Sequence, residues 1–373
     1  MGSTIGNRVR LSVFGESHGS AIGCVLDGLP AGEALDWGEI RLQLARRAPG
    51  RDKTSTPRQE SDTPELLSGT LGSPEEGTLR TTGAPLAMLI RNGNTRSGDY
   101  AELARLPRPG HADYPGFVRY QGYNDVRGGG HFSGRLTAPL VFAGAVCKQI
   151  LRRRGVHVGG HILEIAGVAD RRFDPVSVNA GTLEGLSSRP FSLLDPAVEV
   201  PMREKVEAAR MDCDSVGGIV EVAATGLPAG LGSPMFDGVE NRLAALLFGV
   251  PAVKGVEFGD GFGFARLRGS QANDPYAYDA AGRVTASSNH NGGLLGGITD
   301  GMPLVLRAVV KPTSSIGRPQ RTVDLVSGRD AELTVHGRHD PCIVPRALPV
   351  IEAAVALGLL DLWETEGGAK AGR

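Results

Sequence analysis

Five segments carry the side chains with which this chain could do chemistry. The first, Gly15-Glu16-Ser17-His18-Gly19, sets a hydroxyl and a histidine between glycines. Histidine is the side chain best poised to trade a proton near neutral pH, and Ser17 could relay one. The adjacent Ser17 and His18 are not read as a hydrolase dyad, because a nucleophile and its base come from separate segments. The second, Arg108-Pro109-Gly110-His111-Ala112-Asp113-Tyr114, is stiffened by Pro107, Pro109 and Pro115 and holds an arginine and a histidine at low entropic cost. The third, Arg127-Gly128-Gly129-Gly130-His131-Phe132-Ser133-Gly134-Arg135, runs glycines toward an expected helix start, where free amides favour an anion and Arg135 adds a fork for carboxylate or phosphate. It lacks the Gly-Lys-Ser/Thr ending of a phosphate loop and the G-x-G-x-x-G spacing of a dinucleotide fold. The fourth comprises Gly296-Gly297-Ile298-Thr299-Asp300-Gly301 and then Lys311-Pro312-Thr313-Ser314-Ser315, a lysine and three hydroxyls suited to a phosphate monoester. The fifth, Gly337-Arg338-His339-Asp340-Pro341, places a candidate base beside its counter-charge. Each has a bland alternative of its own: a polar turn, a surface histidine, a hairpin, a surface ion pair.

These segments need elements to hold them. Val9, Leu11 and Val13 alternate with polar residues, predicting a strand that ends at Gly15. A helix is predicted from Asp36, its N-cap, with Ile40 and Leu44 on one face, leading into basic Arg46 to Arg58. Polar Ala48 to Thr63, with Pro49 and Pro57, reads as a mobile surface loop. Leu140, Ala143, Cys147 and Ile150 recur at helical spacing after Pro139, and the helix should stop near Arg152–Arg154 and Gly155. Strands are predicted at Gly218–Ala223, Val253–Phe258 and Leu304–Val310, a helix at Asn241–Phe248, and an apolar helix at Val350–Trp363. Strands and helices come in blocks rather than strict alternation, which points to an α+β fold. There is no linker, low-complexity tract or solenoid-period repeat, so residues 1–373 are read as a single domain.

Bulk properties narrow the classes. Forty Lys+Arg balance 41 Asp+Glu, so no global charge draws the chain to nucleic acid or an anionic membrane, and any anion site is local. Met1 to Arg10 has no apolar run fit for a leader or anchor, and Val350–Trp363, broken by Glu352 and Asp361, is too short to span a bilayer. A cytoplasmic enzyme without a membrane partner is expected. Cys24, Cys147, Cys213 and Cys342 show no paired spacing, so they are read as reduced packing residues and no metal site is expected. Glycine, at 54 residues, is about twice its usual share, which implies many tight turns or loops that approach a ligand closely.

In this order and spacing, from about Ile5 to Glu352, the segments resemble the chorismate synthase family, and specifically its bacterial type. The match is closest at Gly-Glu-Ser-His-Gly, at Ser133-Gly134-Arg135 with Thr137 and Val141, and at Arg338-His339-Asp340-Pro341 with Glu352 downstream. The resemblance implies a homotetramer whose helical core is sandwiched between antiparallel β-sheets. It implies a lyase of the shikimate pathway that eliminates phosphate 1,4-anti from 5-enolpyruvylshikimate-3-phosphate, giving chorismate for aromatic amino-acid biosynthesis and requiring reduced FMN without net redox change. It further implies that His18 and His111 handle protons, one for departing phosphate and one for the flavin, that Asp340 accepts a proton, and that Ser17 and Ser133 relay. FMN contacts would come from His131, Phe132, Ser133, Ala252, Gly296, Lys311, Pro312, Thr313, Ser314, Ser315 and Arg338. Arg47, Arg108, Arg135 and Arg338 would meet the substrate anions, with Arg47 and Lys53 as nicotinamide contacts. Lys53 and His131 depart from common family choices. An external flavin reductase is expected, with NADPH only an indirect reductant.

Two other readings compete. A flavin oxidoreductase would consume NAD(P)H steadily with substrate, whereas the lyase needs only catalytic reduced flavin. An RNA-binding role for Arg46–Arg58 would show salt-sensitive retention, and the 5% aromatic content and neutral charge weigh against it.

Overall fold

The computed structural model describes residues 2–50, 62–74, 77, 79–93, 102–335 and 340–366. Two five-stranded antiparallel sheets flank a helical layer, and the short helix Ala180–Ser187 covers part of the far face of the second. The first runs in the order Thr4–Ile5, Arg10–Gly15, Ala21–Asp27, Leu86–Arg91, Glu65–Ser68. Its alternation sets Leu11, Leu26 and Leu86 in one cross-strand row and Cys24 and Met88 in another, all buried on the same face. The second runs Val253–Phe258, Leu304–Val310, Gly218–Thr225, His157–Ile165, Val168–Ala169. There Val220 pairs with Ala308, Val222 with Leu306 and Ala224 with Leu304, again on one buried face.

Helices Trp37–Arg47, Thr137–Arg153, Val239–Phe248 and Val344–Glu366 fill the space between. Apolar side chains from both sheets and these helices form one continuous buried set that includes Ile22, Phe142, Val222 and Leu360. Burying each large aliphatic side chain contributes about 1.5–3 kcal/mol, and this set anchors the sandwich. The α+β arrangement with a helical middle layer agrees with expectation. At the crossing of Thr137–Arg153 with Val344–Glu366, a Cβ on Gly144 would lie 2.2 Å from that of Ala353, so only glycine permits this approach.

The predicted strand at Val9–Val13 is found at Arg10–Gly15, and Asp36 caps its helix by accepting from Glu39 N at 3.0 Å. The helix after the glycine cluster runs Thr137–Arg153, and the last one is longer than predicted, Val344–Glu366. Its two buried acids explain why it is not purely apolar. Asp361 accepts from Arg8 N at 2.7 Å and Val9 N at 2.8 Å, pinning the entry to the first sheet. Glu352 accepts from both ends of the Arg46 guanidinium, at 2.7 and 2.8 Å, and from Lys148. Among the described residues no helix is long and apolar enough to cross a membrane.

On the far face of the second sheet, Glu221 pairs in register with His161 on one side and Arg307 on the other. The His161 Nε2 lies 3.0 Å from Glu221, its Nδ1 lies 3.2 Å from Asp170, and all three side chains are buried. Two expectations are corrected. Most of the expected surface loop, residues 51–61, lies outside the described residues, but near its end the Asp62 side chain is only 3% exposed and pairs with Arg47. Cys213 is exposed, whereas the other three free cysteines are buried.

Candidate active site

The site is a cleft of about 1060 Å³ between loop segments that are far apart in sequence. Its lining joins apolar Leu136, Leu140, Val250, Ile343 and Val350 to arginines, hydroxyls and two histidines. A space of this size accommodates more than one small ligand.

Stiff 107–115 forms one side. Asp113 is 5% exposed and accepts from Arg108 Nε at 2.7 Å, Arg108 Nη2 at 2.8 Å and the Arg108 backbone N at 3.0 Å, and its Oδ1 lies 2.6 Å from His111 Nδ1. Burial pushes the Asp113 carboxyl up, but the hydrogen bonds and charge of Arg108 and His111 outweigh it and hold the group well below the usual range. Arg108 Nη1 donates to Ser315 Oγ at 3.0 Å. Lys311 Nζ donates to Gly110 O and Ser314 Oγ, each at 3.0 Å, and Ser314 Oγ also donates to Gly110 O. Burial, then repulsion from Lys254, pushes the Lys311 pKa down. The Lys311–Ser315 segment is thereby laced to the arginine–histidine loop. Thr313 Oγ1 donates to the Asp340 carbonyl at 3.1 Å, bringing in the fifth segment.

The glycine cluster has a structural role that the sequence did not mark. Gly128, Gly129 and Gly130 all have positive φ, and the amides of Gly129 and Ser133 bond to Val126 O and Gly130 O rather than facing a ligand. The cluster is a platform for the first segment: Ser17 N donates to Gly130 O at 3.1 Å, and a Cβ on Gly128 would fall 2.5 Å from His18 Cδ2 and 2.7 Å from Ser17 Oγ. Although Gly15–Gly19 spells G-x-S-x-G, it joins two antiparallel strands, not a strand to a helix, so it is no nucleophile elbow. Ser17 lines the cleft, while buried His18 sits beside it and is not part of the wall. His131 Nδ1 lies 2.8 Å from Gly15 O, tying the two segments again.

Anion-binding capacity comes from side chains. Arg47, 2% exposed, and Arg135 flank the cleft and share one internal anion, Asp62, with Arg47 Nη2 at 3.1 Å from its carboxylate. Arg346, in the first turn of the last helix, pairs with Asp340 and donates to Arg47 O at 2.9 Å. Phe132, Ser133, Ala252 and Pro312 line the cleft, and Ala252 adopts φ +73°, a strained left-handed conformation, while its carbonyl accepts from Lys311 N at 2.9 Å. Gly296 does not reach the wall; it lies in the tight turn between Leu294–Leu295 and Ile298–Thr299. Arg338 and Lys53 lie outside the described residues. Asp62, Asp113 and Arg346 were assigned no role from sequence; only Asp113 stood inside one of the five chemistry-bearing segments.

A two-sheet sandwich with a cleft that gathers four arginines, a lysine, an oriented imidazole and a carboxylate defines an enzyme for a small, multiply anionic substrate. A family model described as chorismate synthase matches residues 9–363. The chain is 47% identical over 356 residues to a chorismate synthase of Thermococcus kodakarensis, covering 95% of this chain and 96% of the relative. It is 46% identical to one of Methanosarcina acetivorans, covering 96% and 95%. A solved structure titled as a chorismate synthase superposes with a TM-score of 0.74 at 28% identity, covering 97% of this chain and 93% of that one. The chain belongs to the chorismate synthase family, a family of lyases, and membership implies a flavin cofactor. The expected bacterial type is not borne out: these relatives are archaeal.

Proposed function

We propose that the chain converts 5-enolpyruvylshikimate-3-phosphate to chorismate and phosphate in this cleft, with reduced FMN bound there. The observation that carries the reading is the convergence of Arg47, Arg108, Arg135, His111 and Asp340 on one cleft whose lining is otherwise largely apolar. A substrate with two carboxylates and a phosphate needs several fixed cations to be desolvated at all. The donor set also fits FMN: Lys311, Thr313, Ser314 and Ser315 would hold its phosphate, and His131, Phe132, Ser133, Ala252 and Pro312 would flank the remainder. What a reduced flavin supplies is an electron lent to the substrate and returned, which leaves no net redox change.

The chain's own groups do the rest. Arg108 and Arg135 orient the substrate anions. His111 handles a proton at Nε2. Asp340, held by Arg346, accepts a proton, with Ser17 and Ser133 as relays and His18 supporting Ser17 from behind. Arg47 is too enclosed to serve a nicotinamide at the surface and instead serves an anion in the cleft. NADPH is an indirect reductant, with reduced flavin delivered by a separate reductase. Residues 1–373 act as one domain in the cytoplasm. Exposed Phe236, Phe262 and Tyr278, each roughly four-fifths accessible, support burial against further copies in a homotetramer.

The test is anaerobic turnover of FMN-loaded protein, followed by chorismate absorbance. H111A and D340A should each lose on the order of 10²–10⁴-fold in turnover. Full activity in both variants would remove the cleft from the reaction.

A further inference from the structure

We propose that Asp113 is a positioning residue that fixes His111 in the tautomer protonated on Nδ1, leaving Nε2 as the atom offered to the cleft. The proposal deepens the reading of this cleft as the reaction site and rests on it. The His111 Nδ1 has two polar neighbours: Asp113 Oδ1 at 2.6 Å and Arg108 Nη2 at 3.1 Å. Arginine only donates and an ionised carboxylate only accepts, so the two neighbours demand opposite states of Nδ1. The carboxylate wins on distance. A lone pair 2.6 Å from a carboxylate oxygen would be repelled, whereas an N–H there makes a short charge-assisted bond. The carboxylate is ionised, because it accepts two hydrogen bonds from the Arg108 guanidinium and a third from the Arg108 backbone amide. Arg108 Nη2 loses nothing, since Asp113 Oδ1 accepts from it at 2.8 Å.

At the other end of the ring, Gly129 lies against Nε2, where a Cβ would be in ordinary contact at 3.4 Å, and the His111 side chain, 19% exposed, lines the cleft. Nε2 therefore presents a lone pair to the cleft and can take a proton or, once protonated, return it. The same carboxylate holds Arg108 by Nε and Nη2, so that Nη1 is the edge turned to Ser315. One buried acid thus sets the direction of a proton-handling group and of an anion-binding group.

The test uses the full chain labelled with ¹⁵N-histidine, with the His111 signals identified by their loss in H111A. The pH is raised until the ring carries one proton, and long-range ¹H–¹⁵N correlations report which nitrogen holds it. Wild type should show the proton on Nδ1. In D113N the carboxylate is gone and Arg108 Nη2 becomes the donor to Nδ1, so the proton should move to Nε2, whereas D113E should keep it on Nδ1. FMN-loaded D113N should lose on the order of 10²–10⁴-fold in kcat, with KM changed far less. A wild-type ring protonated on Nε2, or a D113N ring unchanged from wild type, overturns the proposal. The tautomer is read without flavin or substrate, so it fails or stands separately from the lyase reading, which the wild-type product assay decides.

Discussion

Replacing Glu352 by glutamine keeps the shape of the side chain and removes its charge from between two cations. Glu352 is fully buried, Arg46 and Lys148 have only 5% and 10% of their side chains exposed, and both donate to it. Burial pushes the Glu352 carboxyl up, but Arg46 and Lys148 outweigh it and hold its pKa at about 2, against an ordinary 4.5. Breaking such a pair from one side leaves buried positive charge uncompensated and costs about 3–5 kcal/mol. Burial already pushes the Lys148 pKa down, so in E352Q this lysine can shed its proton, which favours the lower end of that range. At about 2.1 cal/mol/K of unfolding entropy per residue, a chain of this length has an entropy near 0.8 kcal/mol/K, and the loss becomes a Tm drop of about 4–6 °C. Differential scanning calorimetry of both proteins at neutral pH measures it. The lowered carboxyl pKa means that Glu352 stabilises the fold at pH above the ordinary carboxylate range and ceases to as the pH falls through about 2. The gap in Tm should therefore persist from neutral pH into mild acid. An E352Q protein melting within about 1 °C of wild type, by the same conversion, would refute the reasoning.

Two further outcomes follow from the charges. His161 is pushed down by burial, but Asp170 and Glu221 outweigh that and leave its pKa above the ordinary 6.5. Its contribution is complete below about pH 6.5 and is lost as the pH rises through the folded-state value, so H161Q should lose about 1–3 kcal/mol in urea unfolding at pH 6 and less at alkaline pH. A loss that grows with pH would contradict this. Asp62 neutralises Arg47 and Arg135, and a ligand anion must compete with it. D62N should lower the KM for the phosphorylated substrate by roughly tenfold, about 1.4 kcal/mol, and an unchanged KM would show that Asp62 does not compete.

Local signals carried most of the fold. Alternation at Val9–Val13, the Asp36 cap and the apolar spacing after Pro139 each depend on residues within a few positions, and each element formed. Partnerships across the chain were not legible. Asp340 was read beside Arg338, yet its partner among the described residues is Arg346, in the first turn of a helix whose start the sequence did not mark. Asp62 looked like one acid in a polar loop, and only the approach of two arginines from other segments makes its burial tolerable. Glu221 interrupts an apolar strand, and nothing local shows that sheet register places His161 and Arg307 on either side of it. The platform role of the glycine cluster was hidden because glycine serves a helix N-terminus and a left-handed platform equally well, and only the fold shows that Ser17 and His18 rest on it.

The most direct test of the central claim is one anaerobic measurement: phosphate and chorismate released per molecule of photoreduced FMN, with substrate in large excess and no nicotinamide present. The account predicts equal amounts of the two products and many turnovers for each flavin. One product molecule or fewer per flavin, or turnover that stops until NADPH is supplied in proportion to substrate, would contradict it and put a flavin oxidoreductase in its place.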